Sequence, residues 1–253
     1  MIIKEKIHDT GHWYTKSGQP AYFTEGKTGT RPTTLRDARK LGLYPSSTGI
    51  IRQLSSAGLD SWKQQQVLLA ALTLPRLPDE PEAEWLKRVM QDSRATGAEA
   101  ASRGTAIHAV IEGYFEQMYM PEKPAYLEKI DQVLKDAFGE QAWLCEKSFA
   151  HLLGYGGRVD LMAKPINGQG DGFVVDFKTK ETDLDKIDVY FEHELQLASY
   201  REGLGMPTAR CAIVFVNALT NQVRLIEIEQ DRLQMGWECF EHLLRVYQIK
   251  NGI

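Results

Sequence analysis

The hydrophobic pattern of this chain changes period near residue 140. Between the first fifty residues and that point it recurs at helical spacing; beyond it, blocks of strand length enter between helical segments. The first fifty residues are the least regular. HWYTKSGQPAYF predicts two short aromatic strands around a Ser-Gly-Gln-Pro turn. KTGTRPTTLRDARKLG reads as a basic loop that turns helical, and Pro45 and Ser46 open a helix with Ile50, Ile51 and Leu54 on an apolar stripe. Residues 59–74 carry a further helical pattern, and PRLPDEP breaks it. EAEWLKRVM then leads through an interruption at Gly97 to AEAASRGTAIHAVIEGYFEQ, where Ile107, Val110, Ile111 and Tyr114 recur at helical spacing. YLEKIDQVLKDAFG follows as another helix.

Beyond the change of period, WLCEKSFA, GRVDLMAK and GFVVDFKTK predict three strands. The Gly- and Asn-rich KPINGQGDG makes a hairpin of the last two. DVYFEHELQLASYREGLG is helical, CAIVFVNA and QVRLIEIE are strands around an Ala-Leu-Thr-Asn turn, and DRLQMGWECFEHLLRVYQIK closes the chain as an amphipathic helix. Helix, three strands, helix, two strands, helix describes an α/β fold with a mixed central β-sheet flanked by helices. Residues 1–95 are expected as a hairpin and helical N-terminal extension packed on a core formed by 96–253.

Composition adds bounds. The 253 residues suit one large domain or one domain with an extension. At 43% hydrophobic and 25% charged, the chain is ordinary for a globular protein. No apolar run is long enough for a membrane span, and MIIKEKIHDTGHWY has no apolar segment of signal-peptide length, so no membrane role and a cytoplasmic location are expected. Cys145, Cys211 and Cys239 are scattered and odd in number, which argues against a disulfide framework and a zinc ribbon. They are also too few for an all-cysteine iron–sulfur cluster. The net charge of −4 is not the footprint of a protein that holds nucleic acid by charge alone, yet a local basic groove remains compatible with it. GKTGT at 26–30 lacks the first glycine and the preceding strand of a phosphate-binding loop, so no nucleotide cofactor is expected.

The candidate chemistry lies on the second and third strands. Side chains two apart in a strand share a face. Asp176, Lys178 and Lys180 therefore point one way, as do Arg158 and Asp160 on the strand before, and the hairpin can set Asp160 beside Asp176. Two adjacent carboxylates repel unless a cation or proton sits between them. A hard divalent ion, magnesium or manganese, resolves that repulsion, polarises a phosphoryl oxygen and lowers the pKa of a bound water. A nearby lysine can orient or deprotonate that water and stabilise the charge that develops. These parts suit phosphodiester hydrolysis. Against that stands the ordinary reading of a surface Asp-x-Lys at a strand end, which the apolar setting of VVDF makes less comfortable, because an unpaired buried Asp is costly.

GGRVD followed by VVDFKTK resembles the motif of the PD-(D/E)xK nuclease superfamily, with Val159 where the motif's name gives proline. Three further features resemble its RecB-type exonuclease branch: the Gly-x-x-x-His helix in RGTAIHAVIE, Glu146 in WLCEKSF, and the Gln-x-x-x-Tyr of QLASY. LYPSSTGI and SWKQQQVLLAA resemble, more loosely, segments that precede the core in phage stand-alone exonucleases. The resemblance covers roughly residues 96–230 and implies a restriction-endonuclease-like αβββαβ core. It implies metal ligation by His108, Asp160, Asp176 and the main-chain carbonyl of Phe177, with Lys178 acting on the water. Glu112 and Glu146 are implied as supporting acids. Gln196 and Tyr200, at i and i+4, would contact a phosphate or position the lysine, and Arg103, Arg158 and Lys180 are candidate phosphate contacts. Trp13, Tyr14, Tyr22 and Phe23 could stack on single-stranded bases, although core or hairpin packing is expected for at least half of them. The implied function is a magnesium- or manganese-dependent DNA exonuclease of bacterial or phage DNA recombination, repair or degradation. Its expected substrate is linear DNA with a free end; a recombination or single-strand-binding partner and a homo-oligomer are compatible. Two alternatives stay open: a structure-specific or restriction-type endonuclease of the same fold, and a non-catalytic DNA-end-binding protein.

Overall fold

The computed structural model describes residues 11–26, 29–54, 57–165 and 170–253. The expectations placed on the first ten residues, on the centre of GKTGT and on 166–169 of the hairpin connection fall outside them. In chain order the elements are β1 (Trp13–Tyr14), β2 (Phe23–Gly26), β3 (Gly29–Pro32), α1 (Leu35–Leu41), β4 (Tyr44–Pro45), α2 (Ser47–Ile51), α3 (Ala57–Thr73), α4 (Glu82–Phe115) and α5 (Ala125–Phe138). There follow β5 (Leu144–His151), β6 (Tyr155–Ala163), β7 (Phe173–Thr179), a 3₁₀ turn (Leu184–Lys186), α6 (Phe191–Gly203), β8 (Arg210–Asn217), β9 (Gln222–Ile228) and α7 (Gln230–Asn251). None of the described helices is long and apolar enough to cross a membrane.

The fold is a mixed five-stranded sheet in the order β5-β6-β7-β8-β9, flanked by helices. β7 and β8 run parallel, with α6 in the connection between them, and the other neighbours are antiparallel. A parallel pair needs such a crossover because its strands enter from the same end. From Cys211 to Asn217 every residue of β8 is buried. Consecutive strand residues face opposite sides of a sheet, so both faces are covered at its centre, and CAIVFV reads as a continuous apolar run for that reason. On α5, Tyr126, Leu127, Ile130, Leu134 and Phe138 are buried at the helical spacing seen in the sequence.

The chain divides into two compact units. One holds the described residues up to Gln53 together with Ile111–Ile253, and the other is Leu54–Val110. In the second unit the expected break at Gly97 does not occur: α4 runs unbroken through it. A helical glycine costs only about 1 kcal/mol relative to alanine, and Ala95, Ala98, Ala100 and Ala101 around it are strong helix formers.

Two differences arise in the first fifty residues. The Ser-Gly-Gln-Pro turn forms, with Gly18 at φ 82° and the Thr15 N–H donating to Gln19 O at 2.9 Å. However, β1 takes its ladder partner from β4, and the aromatic strand at Phe23 pairs with β3, where a basic loop was expected. Trp13 and Tyr14 are core residues, whereas Phe23 is exposed. Ser46 caps α2 as expected, its hydroxyl accepting from the Gly49 N–H at 3.1 Å, but the helix ends at Ile51. An isolated bridge joins Ser46 to Gly156 at the start of β6, which ties this segment to the strand that carries Asp160. The two glycines of GGRVD are required by that packing. A Cβ on Gly156 would lie 2.7 Å from Tyr14 Cγ, and one on Gly157 would lie 2.6 Å from Phe149 Cζ.

Candidate active site

The site begins where a ladder ends. β6 and β7 pair from Ala163↔Phe173 to Leu161↔Val175, and there the pairing stops. Asp160 and Asp176 are the next residues in register. β7 continues beside β8 through Thr179↔Val216, so its edge toward β6 is left with donors and acceptors to satisfy. Asp160 Oδ2 meets that need by accepting from the Phe177 N–H at 2.8 Å. An acidic side chain thus takes the place of a strand carbonyl, and the opening is held at a fixed width beside Asp176.

Lys178 reaches back two residues along the same face, and its Nζ lies 2.5 Å from Asp176 Oδ2. Gln196 of α6 closes the cluster. Its Nε2 donates to Asp176 Oδ1 at 2.7 Å and to the Tyr200 hydroxyl at 2.9 Å, while its Oε1 accepts from Lys178 Nζ at 3.1 Å. Both ends of one amide are used, which fixes its orientation. The four-residue step from Gln196 to Tyr200 puts both on the helix face that covers the strand ends.

Charge is concentrated in a partly buried setting. Burial is the first cause that pushes the Asp160 carboxyl well above its ordinary range, and repulsion from Asp176 is the second; Lys178 and the Phe177 N–H oppose them. Burial works to lower the Lys178 pKa, but the attraction of Asp176 and Asp160 outweighs it and the net shift is upward. Lys178 is therefore an ammonium here. Burial also drives Tyr200 upward, reinforced by Asp176 and Asp160, so its hydroxyl stays protonated.

The remaining candidates are placed as follows. Arg158 forms an ion pair with Glu146 of β5. Glu146 is raised by burial first, with Arg158 opposing and Glu112 adding repulsion. Its φ of 50° is an uncommon backbone state for a non-glycine residue and coincides with a gap in the β5–β6 pairing. Lys180 sits 5.4 Å from the centre of the Tyr190 ring, and burial and Lys178 lower its pKa. Glu112 lies near the end of α4 in the first unit. His108 and Arg103 lie in the second unit, where His108 is half-buried and Arg103 faces Glu99 one turn earlier at 3.9 Å.

His193 belongs to none of the motifs read in the sequence. It lies one turn before Gln196, with its ring 6.1 Å from that of Phe215. Burial, with help from Lys178 and Lys180 against Asp176, lowers its pKa to about 4, so it is neutral at physiological pH. The spacing His193, Gln196, Tyr200 along one helix face was the available signal.

The donor set suits a hard cation. Asp176 Oδ2 is fully buried, and among the described residues it meets no donor besides the Lys178 ammonium. Magnesium takes one or two protein carboxylates and keeps several waters, so Asp160 and Asp176 suffice as its protein acids. No group of three or more His, Cys, Asp and Glu side chains among the described residues could hold a metal ion. A closed structural zinc site, with four protein ligands, does not fit.

No protein-family model and no curated protein matches the chain. Among solved structures, an alkaline exonuclease from Laribacter hongkongensis is similar at a TM-score of 0.38 and 10% identity, over 82% of this chain and 92% of that one. An exonuclease candidate from Eubacterium rectale reaches 0.37 and 17%, over 59% and 68%. The crystal structure of SSO0001 reaches 0.33 and 13%, over 74% and 87%. Likeness of this degree assigns no activity, and the functional reading rests on the site.

Proposed function

We propose that the chain is a divalent-metal-dependent deoxyribonuclease, and specifically an exonuclease acting on linear DNA. The observation that carries this reading is the cluster of buried Asp176 with half-buried Asp160 and Lys178, locked by one glutamine at the open end of a strand pair. A structural ion pair has no need of a second carboxylate set against the first, whereas a divalent-metal site for phosphoryl transfer uses both. The motif resemblance to PD-(D/E)xK nucleases supports DNA as substrate and the exonuclease assignment.

Asp160, Asp176 and the Phe177 main-chain carbonyl would hold magnesium or manganese. Bound there, the ion would supply Lewis acidity toward a phosphoryl oxygen and acidify a water. The protein's own part follows from its charges. Lys178 presents an ammonium toward the scissile phosphate and stabilises the negative charge that grows on it. Gln196 fixes the positions of Lys178 and Asp176 at once. Tyr200 supports Gln196 as a neutral hydroxyl. Arg158 and Lys180 flank the cluster as phosphate contacts.

The test is cleavage. Purified protein should degrade end-labelled linear DNA with magnesium or manganese, stop with chelator, and spare covalently closed circles. Cutting of closed circles would move the reading to an endonuclease, and metal-independent binding without cleavage to an end-binding protein.

Gln196→Ala separates positioning from substrate contact. The turnover rate should fall about 10–100-fold, the usual cost of removing a group that orients metal-site residues. DNA affinity should hold, because Gln196 spends its hydrogen bonds on Asp176, Tyr200 and Lys178. A drop in affinity with the turnover rate intact would assign Gln196 to the substrate instead.

A further inference from the structure

A pocket of about 240 Å³ lies in the first unit between the segment after β4 and the end of α7. Trp13 forms part of its wall, and His12, Ser46, Arg52, Lys250 and Asn251 line it. None of its lining residues is an Asp or Glu. Arg52 and Lys250 come from opposite ends of the sequence and face one space. Among the described residues, no hydrogen bond or ion pair engages either side-chain cation. Other arginines in this unit are matched to acids, as Arg31 is to Asp37 at 2.7 Å, Arg210 to Glu227 at 2.6 Å and Arg232 to Glu194 at 2.7 Å. Two exposed cations converging without a counter-charge make a positive concavity, the arrangement that concentrates an anion.

The local field agrees with the geometry. Burial, Arg52 and Arg158 each lower the pKa of His12, and no acid opposes them. Neutral His12 stacks on Tyr22 at 4.4 Å, and the Tyr22 and Tyr14 hydroxyls meet at 2.7 Å. This aromatic run leads from the pocket toward Arg158. The backbone leads the same way. Ser46 bridges Gly156 of β6, and Asp160 is four residues further along that strand. At about 3.3 Å per residue the interval is roughly 13 Å. One strand of a duplex carries a charge about every 3.4 Å of axis, so that distance is the reach of a few nucleotides. The volume is below the roughly 300–1,000 Å³ of sites for drug-sized molecules, which suits a phosphate group with its sugar rather than a whole cofactor.

We infer that this pocket, through Arg52 and Lys250, is a phosphate-binding subsite that grips the substrate strand a few nucleotides from the acid pair. The inference rests on the nuclease reading and adds a second anchor to it. The phosphate could be an internal linkage or a strand terminus; the chemistry is shared, and the test separates them.

The measurement is binding of a labelled oligonucleotide in chelator, with cleavage off, as a function of salt. Arg52→Ala/Lys250→Ala should weaken binding about tenfold at low salt, and the logarithmic salt slope should become shallower by about one for each phosphate the variant no longer grips. Both residues are exposed, so folding is not at risk. Lys129→Ala/Lys186→Ala, which removes two exposed charges elsewhere, is the matched control. A single neutral methylphosphonate linkage walked along the oligonucleotide should weaken wild-type binding at one position and have no such effect in the double variant. If removing a terminal phosphate reproduces that loss instead, the subsite takes a strand end. Wild-type affinity and slope in the double variant, or a loss no larger than the control's, overturns the inference. Absence of chelator-sensitive cleavage would instead overturn the nuclease reading, so the two failures appear in separate assays.

Discussion

Asp176→Asn and Asp160→Asn should each abolish chelator-sensitive DNA cleavage, by at least about 10³-fold, while the protein stays folded. Three decades of rate are about 4 kcal/mol, within what a polarising cation supplies to a phosphoryl transition state. Asparagine is the informative replacement because it keeps the shape and the acceptor oxygen. An amide at position 176 can still take the hydrogen bond that Gln196 Nε2 gives at 2.7 Å, and one at position 160 can take that of the Phe177 N–H at 2.8 Å. At position 160 only the charge is removed; at position 176 the amide also gives up the acceptor that the Lys178 ammonium meets at 2.5 Å. Alanine at position 176 would leave Lys178 and Gln196 facing an unfilled buried space, and loss of activity would then be confounded with loss of stability.

A second readout follows from the same geometry. Burial and the neighbouring Asp176 disfavour the ionised form of Asp160 in the metal-free protein, so Asp160→Asn should leave the thermal midpoint in chelator equal to or above that of wild type. Magnesium should raise the wild-type midpoint, by the equivalent of about 2.7 kcal/mol when present at a hundred times its dissociation constant. It should do little for Asp160→Asn. A variant that loses activity yet keeps the full magnesium-dependent shift would place the ion elsewhere.

Lys178→Ala should cost about 10²–10⁴-fold in turnover, the range for groups that move a proton or stabilise developing charge. Metal affinity should not fall, because Lys178 is a competitor of the cation rather than a ligand: its Nζ lies 2.5 Å from Asp176 Oδ2. Removing that ammonium should leave magnesium binding unchanged or tighter, read as the shift of the thermal midpoint. Joint loss of metal binding and activity would mean that Lys178 holds the acids in place and has no separate part in the chemistry. Lys178→Arg should not restore full turnover, since a planar guanidinium cannot stand where Gln196 and Asp176 position a point charge.

The sequence by itself determined the local features of this protein. Period-two spacing put Asp176 and Lys178 on one strand face, and period-3.6 spacing put Gln196 and Tyr200 on one helix face. The apolar run CAIVFV marked the strand at the centre of the sheet, and Ser46 marked a helix start. These are consequences of backbone geometry within a few residues, which a linear pattern records. Tertiary structure decided the pairings. It gave β1 its partner in β4, carried α4 unbroken past Gly97, and turned Gln196 inward so that its amide bonds an acid and a lysine 20 and 18 residues away. It set Asp160 against the Phe177 N–H at the point where two strands part. It also brought Arg52 and Lys250 to one pocket, which no motif announced. Such contacts depend on which surfaces remain to be buried once every element has formed, and a single sequence pattern does not carry that choice.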